Sequence, residues 1–185
     1  GANVTGMYEW VKLPEGMDRA YVPGRARMRS IIEDGPLHQK ETPGLVGAWP
    51  PYPLLSARPD VVVFQTEPLT ADLEITGSME VQLWVSSSAV DTDFTARLVD
   101  VHPPHEDYPD GFHMPLADSI LRVRFREGFD AERFMEPGQV YRIAIELPPI
   151  SNLFVAGHCI RVDIASSNFP RFDINPNTGE PLGRH

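Results

Sequence analysis

From residue 58 onward, hydrophobic and polar positions alternate in short segments, and this period-two pattern predicts β-strands with one buried face. Six segments have strand-like composition or alternation: 61–66, 79–86, 94–98, 121–126, 141–147 and 160–164. Segment 61–66 is rich in β-branched residues, which favours a strand buried on both faces. In segment 121–126, apolar residues alternate with Arg122, Arg124 and Arg126. We expect these three arginines to face solvent and to pair with carboxylates of a neighbouring strand or domain.

Turn-forming residues separate these segments. Pro137-Gly138 and Ala156-Gly157 are typical of the tight connections between successive strands. No helical periodicity extends beyond about two turns, so the chain lacks the alternation of strands and helices that builds a parallel sheet. The pattern therefore predicts an all-β fold, an antiparallel β-sandwich of the jelly-roll type.

The first 57 residues follow no regular period. Prolines and glycines interrupt each apolar stretch, most densely in the run Trp49-Pro50-Pro51-Tyr52-Pro53. A structureless segment of this length is unusual inside a compact domain. We therefore predict that residues 1–57 form a long irregular arm, which packs on the sandwich or on another domain, and that residues 58–185 form the sandwich.

Composition and charge narrow the classes of function. The 185 residues carry a formal net charge of -10, and an acidic chain without a basic cluster is a poor binder of nucleic acid. No apolar run approaches the length of about 18 residues that predicts a membrane span. The single cysteine, Cys159, excludes an internal disulfide and favours a reducing compartment, so we expect a cytoplasmic location. We expect Cys159 itself to be a small buried hydrophobic residue.

Catalytic chemistry has no clear signal in the sequence. A nucleophilic serine of the α/β-hydrolase type requires the pentapeptide G-x-S-x-G, which does not occur in these 185 residues. Six histidines and many aspartates and serines are present, but a triad is defined by geometry and not by composition. We interpret His158, at the start of a strand, as structural. We predict no catalytic residue and no cofactor.

One loop contains several side chains that bind metals. His102, His105, Asp107 and His113 lie close together, with Asp110 among them, and zinc is bound by such groups. Their spacing matches no closed zinc pattern, and the prolines at 103, 104 and 109 make a variable polar loop the competing interpretation.

Two further aspartates precede strand 94–98. Asp91 and Asp93 are two residues apart and, with Asp100, make a candidate calcium site. The alternative that we favour is that Asp91 and Asp93 accept backbone N–H groups at the turn between two strands.

Several blocks of the chain resemble the C-terminal domain of a hydrolase family. The blocks follow one another in the family's order: 58–61 (RPDV), 67–69 (EPL) with Gly77, 86–94 (SSSAVDTDF), 98–101 (LVDV), 151–158 (SNLFVAGH), 166–172 (SSNFPRF) and 175–179 (NPNTG). They cover about two-thirds of the chain. The sequence thus resembles the CocE/NonD family, which includes cocaine esterases, α-amino-acid ester hydrolases, glutaryl acylases and X-Pro dipeptidyl-peptidases.

The resemblance implies a non-catalytic jelly roll, similar to galactose-binding folds, that packs on an upstream α/β-hydrolase domain of the same protein and helps to wall its active site. The nucleophile, histidine and acid of the family all lie in that upstream domain. Trp49 and Tyr52 are then candidates for lining the substrate cleft. The family pattern continues with a further strand, so we expect the jelly roll to be truncated before its last strand.

Two other functions remain open. One is a free-standing carbohydrate-binding module, in which an exposed aromatic such as Trp84 stacks on a sugar. The other is a structural sandwich that forms homo-oligomers. The sequence does not specify which ester or amide bond the parent protein cleaves, because a fold alone does not define a function.

Overall fold

The computed structural model describes residues 60–106, 109, 111–168 and 171–181. Within these ranges the chain forms six strands and one 3-10 helix (Val123–Phe125): β1 (Val62–Gln65), β2 (Leu73–Val85), β3 (Asp93–His102), β4 (Phe112–Arg122), β5 (Tyr141–Phe154) and β6 (Cys159–Ala165). The all-β prediction is confirmed. The predicted arm, 1–57, lies outside the described residues, and so do Trp49 and Tyr52. Among the described residues, no helix has the length and apolar character needed to cross a membrane.

The strands form two antiparallel sheets. The larger sheet has the order β1-β6-β3-β4, and the smaller one pairs β2 with β5. The short turn at Gly157 links β5 of one sheet to β6 of the other, and Gly157 adopts the positive φ (90°) that favours glycine. Side chains from both sheets share one apolar core, which makes the structure a β-sandwich.

Alternation in the smaller sheet follows the sequence pattern. In β5 the residues Ile143, Ile145 and Leu147 are buried, and the residues between them are exposed. In β2 half-buried and exposed positions alternate as far as Val85, with one register shift between Gly77 and Met79. One face of this sheet therefore meets the core and the other meets solvent, as period two requires.

The larger sheet departs from a simple inside–outside pattern. β3 is an inner strand between β6 and β4, and its residues 93–100 are buried on both faces of the sheet. Phe94 and Leu98 point to the core, whereas Arg97 on the opposite face is also buried. Arg161 and Asp163 of β6 share that second face with Arg97 and are buried as well. The second face is thus a covered polar layer, in which arginines and aspartates pair with one another.

The prediction of a single strand over 121–126 with three solvent-facing arginines is wrong. β4 ends at Arg122, and the 3-10 helix follows immediately. Arg124 is fully buried, because its guanidinium pairs with Asp91 inside the domain. The predicted pairing with a carboxylate of a neighbouring strand holds for Arg122, which binds Asp93 of β3, whereas the carboxylate that Arg126 contacts belongs to the next residue, Glu127.

Candidate functional site

Two buried aspartates at the entrance to β3 organise the polar interior. The Nε and Nη2 atoms of Arg122 each lie 2.9 Å from an oxygen of Asp93, so the guanidinium binds this carboxylate with two parallel hydrogen bonds. Such bidentate, charge-assisted pairs combine strength with fixed geometry. Asp93 is 1 % exposed.

Arg124 binds the first aspartate, Asp91, through both its side chain and its backbone. Its Nε donates to Asp91 Oδ2 over 2.8 Å, and its backbone N–H donates to Asp91 Oδ1 over 3.2 Å. The other side of the guanidinium reaches Glu132 and the backbone carbonyl of Glu180, each at 3.0 Å. Arg124 therefore ties the strand entrance to two distant segments of the chain.

Asn175 connects the two pairs. Its side-chain nitrogen lies 2.8 Å from Asp91 Oδ2 and 2.7 Å from Asp93 Oδ1. The side-chain oxygen of Asn175 accepts a hydrogen bond of 2.9 Å from the backbone N–H of Asn177. Asn177 has a positive φ of 64°. The motifs at 86–94 and 175–179 thus meet in one network, which we call the aspartate network (Asp91, Asp93, Arg122, Arg124 and Asn175).

The expectation that Asp91 and Asp93 accept backbone N–H groups is therefore only partly right. One backbone N–H does bind Asp91, but the main partners of both residues are arginine and asparagine side chains. Burial raises the pKa of Asp93 above its ordinary value of 3.8, and the hydrogen bonds from Arg122 and Asn175 oppose this increase. Positively charged donors already occupy both carboxylates, and this arrangement suits a structural role better than calcium binding.

A second polar cluster lies on the outer side of the larger sheet. Asn168 donates to Asp118 over 2.7 Å, and Arg171 binds the other oxygen of the same carboxylate. Arg97 lies 3.7 Å from Asp118, and burial lowers the pKa of Arg97 to about 10. The motif at 166–172 is therefore also anchored to the sheet through an aspartate.

A third cluster sits at the end of β3 and contains two histidines. Asp100 is 2 % exposed, and its Oδ1 lies 2.8 Å from Nδ1 of His158. Its Oδ2 lies 3.5 Å from Nε2 of His102 and 3.4 Å from the side-chain nitrogen of Asn152. The two imidazole rings are 4.1 Å apart at their centroids and tilted by 40°. We call Asp100, His102 and His158 the histidine cluster.

The histidine cluster contains no catalytic triad. In the described part of the chain, Asp100 and the other imidazole are the polar neighbours of each histidine, and no serine hydroxyl binds either ring. Burial lowers the pKa of His102, and the Asp100 carboxylate opposes this decrease. The interpretation of His158 as structural is consistent with its bond to Asp100.

Three of the four predicted metal ligands, His102, His105 and His113, lie in the described residues, and they do not form a cluster there. Only His102 belongs to the histidine cluster. His105 is exposed, and Nδ1 of His113 lies 3.0 Å from Nη1 of Arg161. Burial and the adjacent Arg161 lower the pKa of His113 to about 4. Asp107 lies outside the described residues.

The contact between Asp100 and His158 is not predicted by their spacing, although the sequence contains one signal for it. Asp100 is in phase with Phe94 and Leu98, which face the core. A carboxylate on an apolar face requires a partner. That partner, His158, is 58 residues away along the chain, and sequence spacing does not reveal such a contact.

An open groove crosses the junction of the two sheets. Its volume is about 560 Å³, and its lining combines serines, glutamates and apolar residues: Ser78, Met79, Glu80, Ser119, Glu146, Leu147, Pro148 and Pro149. This lining contains no histidine to activate a serine. The groove therefore lacks the nucleophile–base pair that acyl transfer needs.

The chain is similar to parts of larger enzymes. A family model described as the X-Pro dipeptidyl-peptidase C-terminal non-catalytic domain matches residues 14–183. Cocaine esterase from Rhodococcus sp. (strain MB1 Bresler) is 47 % identical over 127 residues, which are 69 % of this chain and 21 % of that protein.

Two solved structures of larger enzymes also contain a region that is similar to this chain. An α-amino acid ester hydrolase is 37 % identical with a TM-score of 0.66, and the match covers 69 % of this chain and 21 % of that one. An aminopeptidase from the marine sediment archaeon Thaumarchaeota archaeon is 36 % identical with a TM-score of 0.65, over 68 % of this chain and 21 % of its own. The chain spans about a fifth of the length of these relatives.

Proposed function

The chain belongs to the family of X-Pro dipeptidyl-peptidase C-terminal non-catalytic domains, and on this premise we propose that it serves as the accessory jelly-roll domain of a serine hydrolase that cleaves ester or amide bonds. In this proposal an α/β-hydrolase domain of the same polypeptide supplies the nucleophile, the histidine and the acid. The domain walls the substrate cleft of that partner.

One structural observation supports the proposal. The two buried aspartates at the entrance to β3 are engaged in holding the fold, since Asp91 binds Arg124 and Asp93 binds Arg122. The result is a scaffold whose loops are fixed at several points by buried ion pairs. A fixed scaffold suits a cleft wall, because a cleft wall needs to hold its shape and need not react.

The proposal also includes the cellular compartment of the protein and the residues that line the substrate cleft. Trp49 and Tyr52 are our candidates for contacts with the acyl or aminoacyl group of the substrate. Cys159 is buried and unpaired, as expected for a small hydrophobic residue, which supports a reducing compartment such as the cytoplasm.

The proposal is tested by separating the domain from its partner. We expect the 185-residue chain to release no p-nitrophenol from p-nitrophenyl esters above the buffer rate, whereas the polypeptide that also contains the α/β-hydrolase domain releases it. Within that polypeptide, Trp49→Ala and Tyr52→Ala are expected to raise KM, with Trp84→Ala as the control on an exposed strand position. Turnover by the purified 185-residue chain, equal in two independent preparations, contradicts the proposal.

The carbohydrate-binding alternative has no support from the comparisons. Trp84 is 60 % exposed, and the guanidinium of Arg142 lies 5.9 Å from the centre of its ring. This cation–π contact accounts for an exposed tryptophan on the solvent face of the smaller sheet. Titration of the chain against a glycan panel is expected to give no binding.

A further inference from the structure

We propose that the histidine cluster is a binding site for one divalent transition-metal ion of the Zn²⁺ type, with Asp100, His102 and His158 as ligands. One potential ligand atom from each residue lies within 4.8 Å of the other two. Asp100 and His102 lie on β3, and His158 immediately precedes β6, the neighbouring strand of the larger sheet. The site is separate from the hydrolase function proposed above and does not depend on it.

The spacing of the atoms is close to that of a metal centre. Zinc–nitrogen and zinc–oxygen bonds of 2.0–2.2 Å in a tetrahedron place neighbouring ligand atoms about 3.3–3.5 Å apart. The distance from Asp100 Oδ2 to His102 Nε2, 3.5 Å, lies within this range, and the distance from Asp100 Oδ1 to His158 Nδ1, 2.8 Å, is about 0.5 Å shorter. Small rotations of the side chains therefore suffice to admit an ion.

The charge of Asp100 is the strongest argument for a cation. A buried carboxylate needs a positive partner, and Asp91, Asp93 and Asp163 each have an arginine. Asp100 has two imidazoles and an amide instead. A divalent ion held by the same imidazoles supplies the positive charge that this carboxylate lacks.

The environment of the Nε2 atom of His102 also favours a metal site. Its Nε2 is buried but has no hydrogen-bond partner. Buried ring nitrogens are normally satisfied, and one that lies close to a carboxylate and to a second imidazole is suitably placed to bind an ion. The side chain of His102 is 34 % exposed, so an ion can reach the site from solvent.

The donor set identifies the class of metal. Two imidazole nitrogens and one carboxylate oxygen suit zinc and its neighbours in the first transition row, whereas Ca²⁺ and Mg²⁺ prefer oxygen ligands throughout. Three protein ligands leave a fourth position open for water or for a group from a neighbouring domain. The Asn152 amide, 3.4 Å from Asp100 Oδ2, orients the carboxylate from the second layer.

The competing explanation is a proton in place of the metal, so that a protonated histidine balances Asp100. Metal titration of the full 185-residue chain distinguishes the two, after chelator treatment and removal of the chelator. We expect calorimetry to give one Zn²⁺ per chain, and Co²⁺ to give the visible absorption bands of a tetrahedral site. Absence of one-to-one binding by both ions overturns the proposal in favour of the proton.

Matched variants locate the site. His102→Gln is chosen because its side chain is partly exposed, so the fold is expected to survive, and far-UV circular dichroism verifies this. We expect Zn²⁺ affinity to fall by more than about 100-fold, since even the loss of an outer-layer partner costs about 10–100-fold. His158→Ala gives a second variant with the same expected loss. His105→Gln, an exposed histidine of the same loop, is expected to bind within about twofold of the parent chain, and an equal loss in His105→Gln overturns the assignment.

Discussion

Arg124 and Asp91 form an ion pair that is closed off from solvent on both sides. The guanidinium and the carboxylate are each 0 % exposed, and Nη2 lies 2.7 Å from Oδ2. Buried ion pairs of this kind do not always add stability compared with apolar residues, but removal of one partner leaves a charge stranded in the interior. This asymmetry gives the first prediction.

Arg124→Met is expected to lower the free energy of unfolding by about 3–5 kcal/mol, because Asp91 stays buried without its main counter-charge. Urea denaturation followed by circular dichroism measures the change. Arg133→Met is the matched control, since Arg133 pairs with Glu127 at the surface over 3.4 Å. Exposed pairs are worth less than about 1 kcal/mol. Losses of similar size in the two variants are inconsistent with the role assigned to Arg124.

Asn175→Ala is expected to destabilise the domain by about 1–3 kcal/mol, because two buried carboxylates each lose a hydrogen-bond donor. Urea denaturation measures the loss as a lower midpoint concentration, with the dependence of the unfolding free energy on urea concentration unchanged. Asn152→Ala provides the comparison, since the Asn152 hydrogen bond to Asp100 is long, at 3.4 Å, and is expected to matter less to stability. A larger effect at Asn152 than at Asn175 argues against a central role of Asn175.

The stability of the domain depends on pH through the protonation of His113. Its pKa is about 4 in the folded chain and 6.5 as the ordinary value, so the unfolded chain takes up the proton first as the pH falls. Stability therefore decreases between about pH 6.5 and pH 4, by up to about 1.4 kcal/mol for each pH unit crossed. His113→Gln is expected to flatten this part of the stability profile, which denaturation at a series of pH values records. An unchanged slope in the variant refutes the assignment.

Gly111→Ala tests the close passage of the chain beside the histidine cluster. Gly111 has a φ of 80°, and a Cβ atom there meets the carbonyl oxygen of His102 at 2.7 Å. Gly138 has a similar φ of 83°, but a Cβ atom there has open space around it. Both alanine variants carry backbone strain of about 1–3 kcal/mol. Only Gly111→Ala adds a steric clash, so its thermal midpoint is expected to be lower than that of Gly138→Ala.

The part of the fold that follows period two was predictable from the sequence. The predicted segments 79–86 and 141–147 correspond to the second half of β2 and the first half of β5, because each strand has one apolar face there and this requirement is local. The same rule failed at 121–126. An alternating pattern cannot distinguish an arginine that faces water from one, such as Arg124, that is drawn inward by a carboxylate 33 residues away.

The candidate sites were predictable only in part, for the same physical reason. His102 was singled out because its neighbours in the chain also bind metals, whereas its partners in space are Asp100 and His158. The register of β3 against β6 brings these residues together, since Val101 pairs with Cys159. Register depends on the packing of the whole sheet. The blocks that resemble the hydrolase family carried more information, because two of them meet in the aspartate network.

The long sequence separation between members of the aspartate network affects the folding of the nascent chain. Asn175 reaches Asp91 across 84 residues, so the two carboxylates acquire their shared donor only when the chain has been synthesised as far as Asn175. A nascent chain that stops short of this asparagine carries buried charges without their full set of partners. Contacts between such distant positions are slow to form. The domain is therefore expected to reach its native state only after Asn175 has been synthesised, and until then the unfinished chain is a target for chaperones.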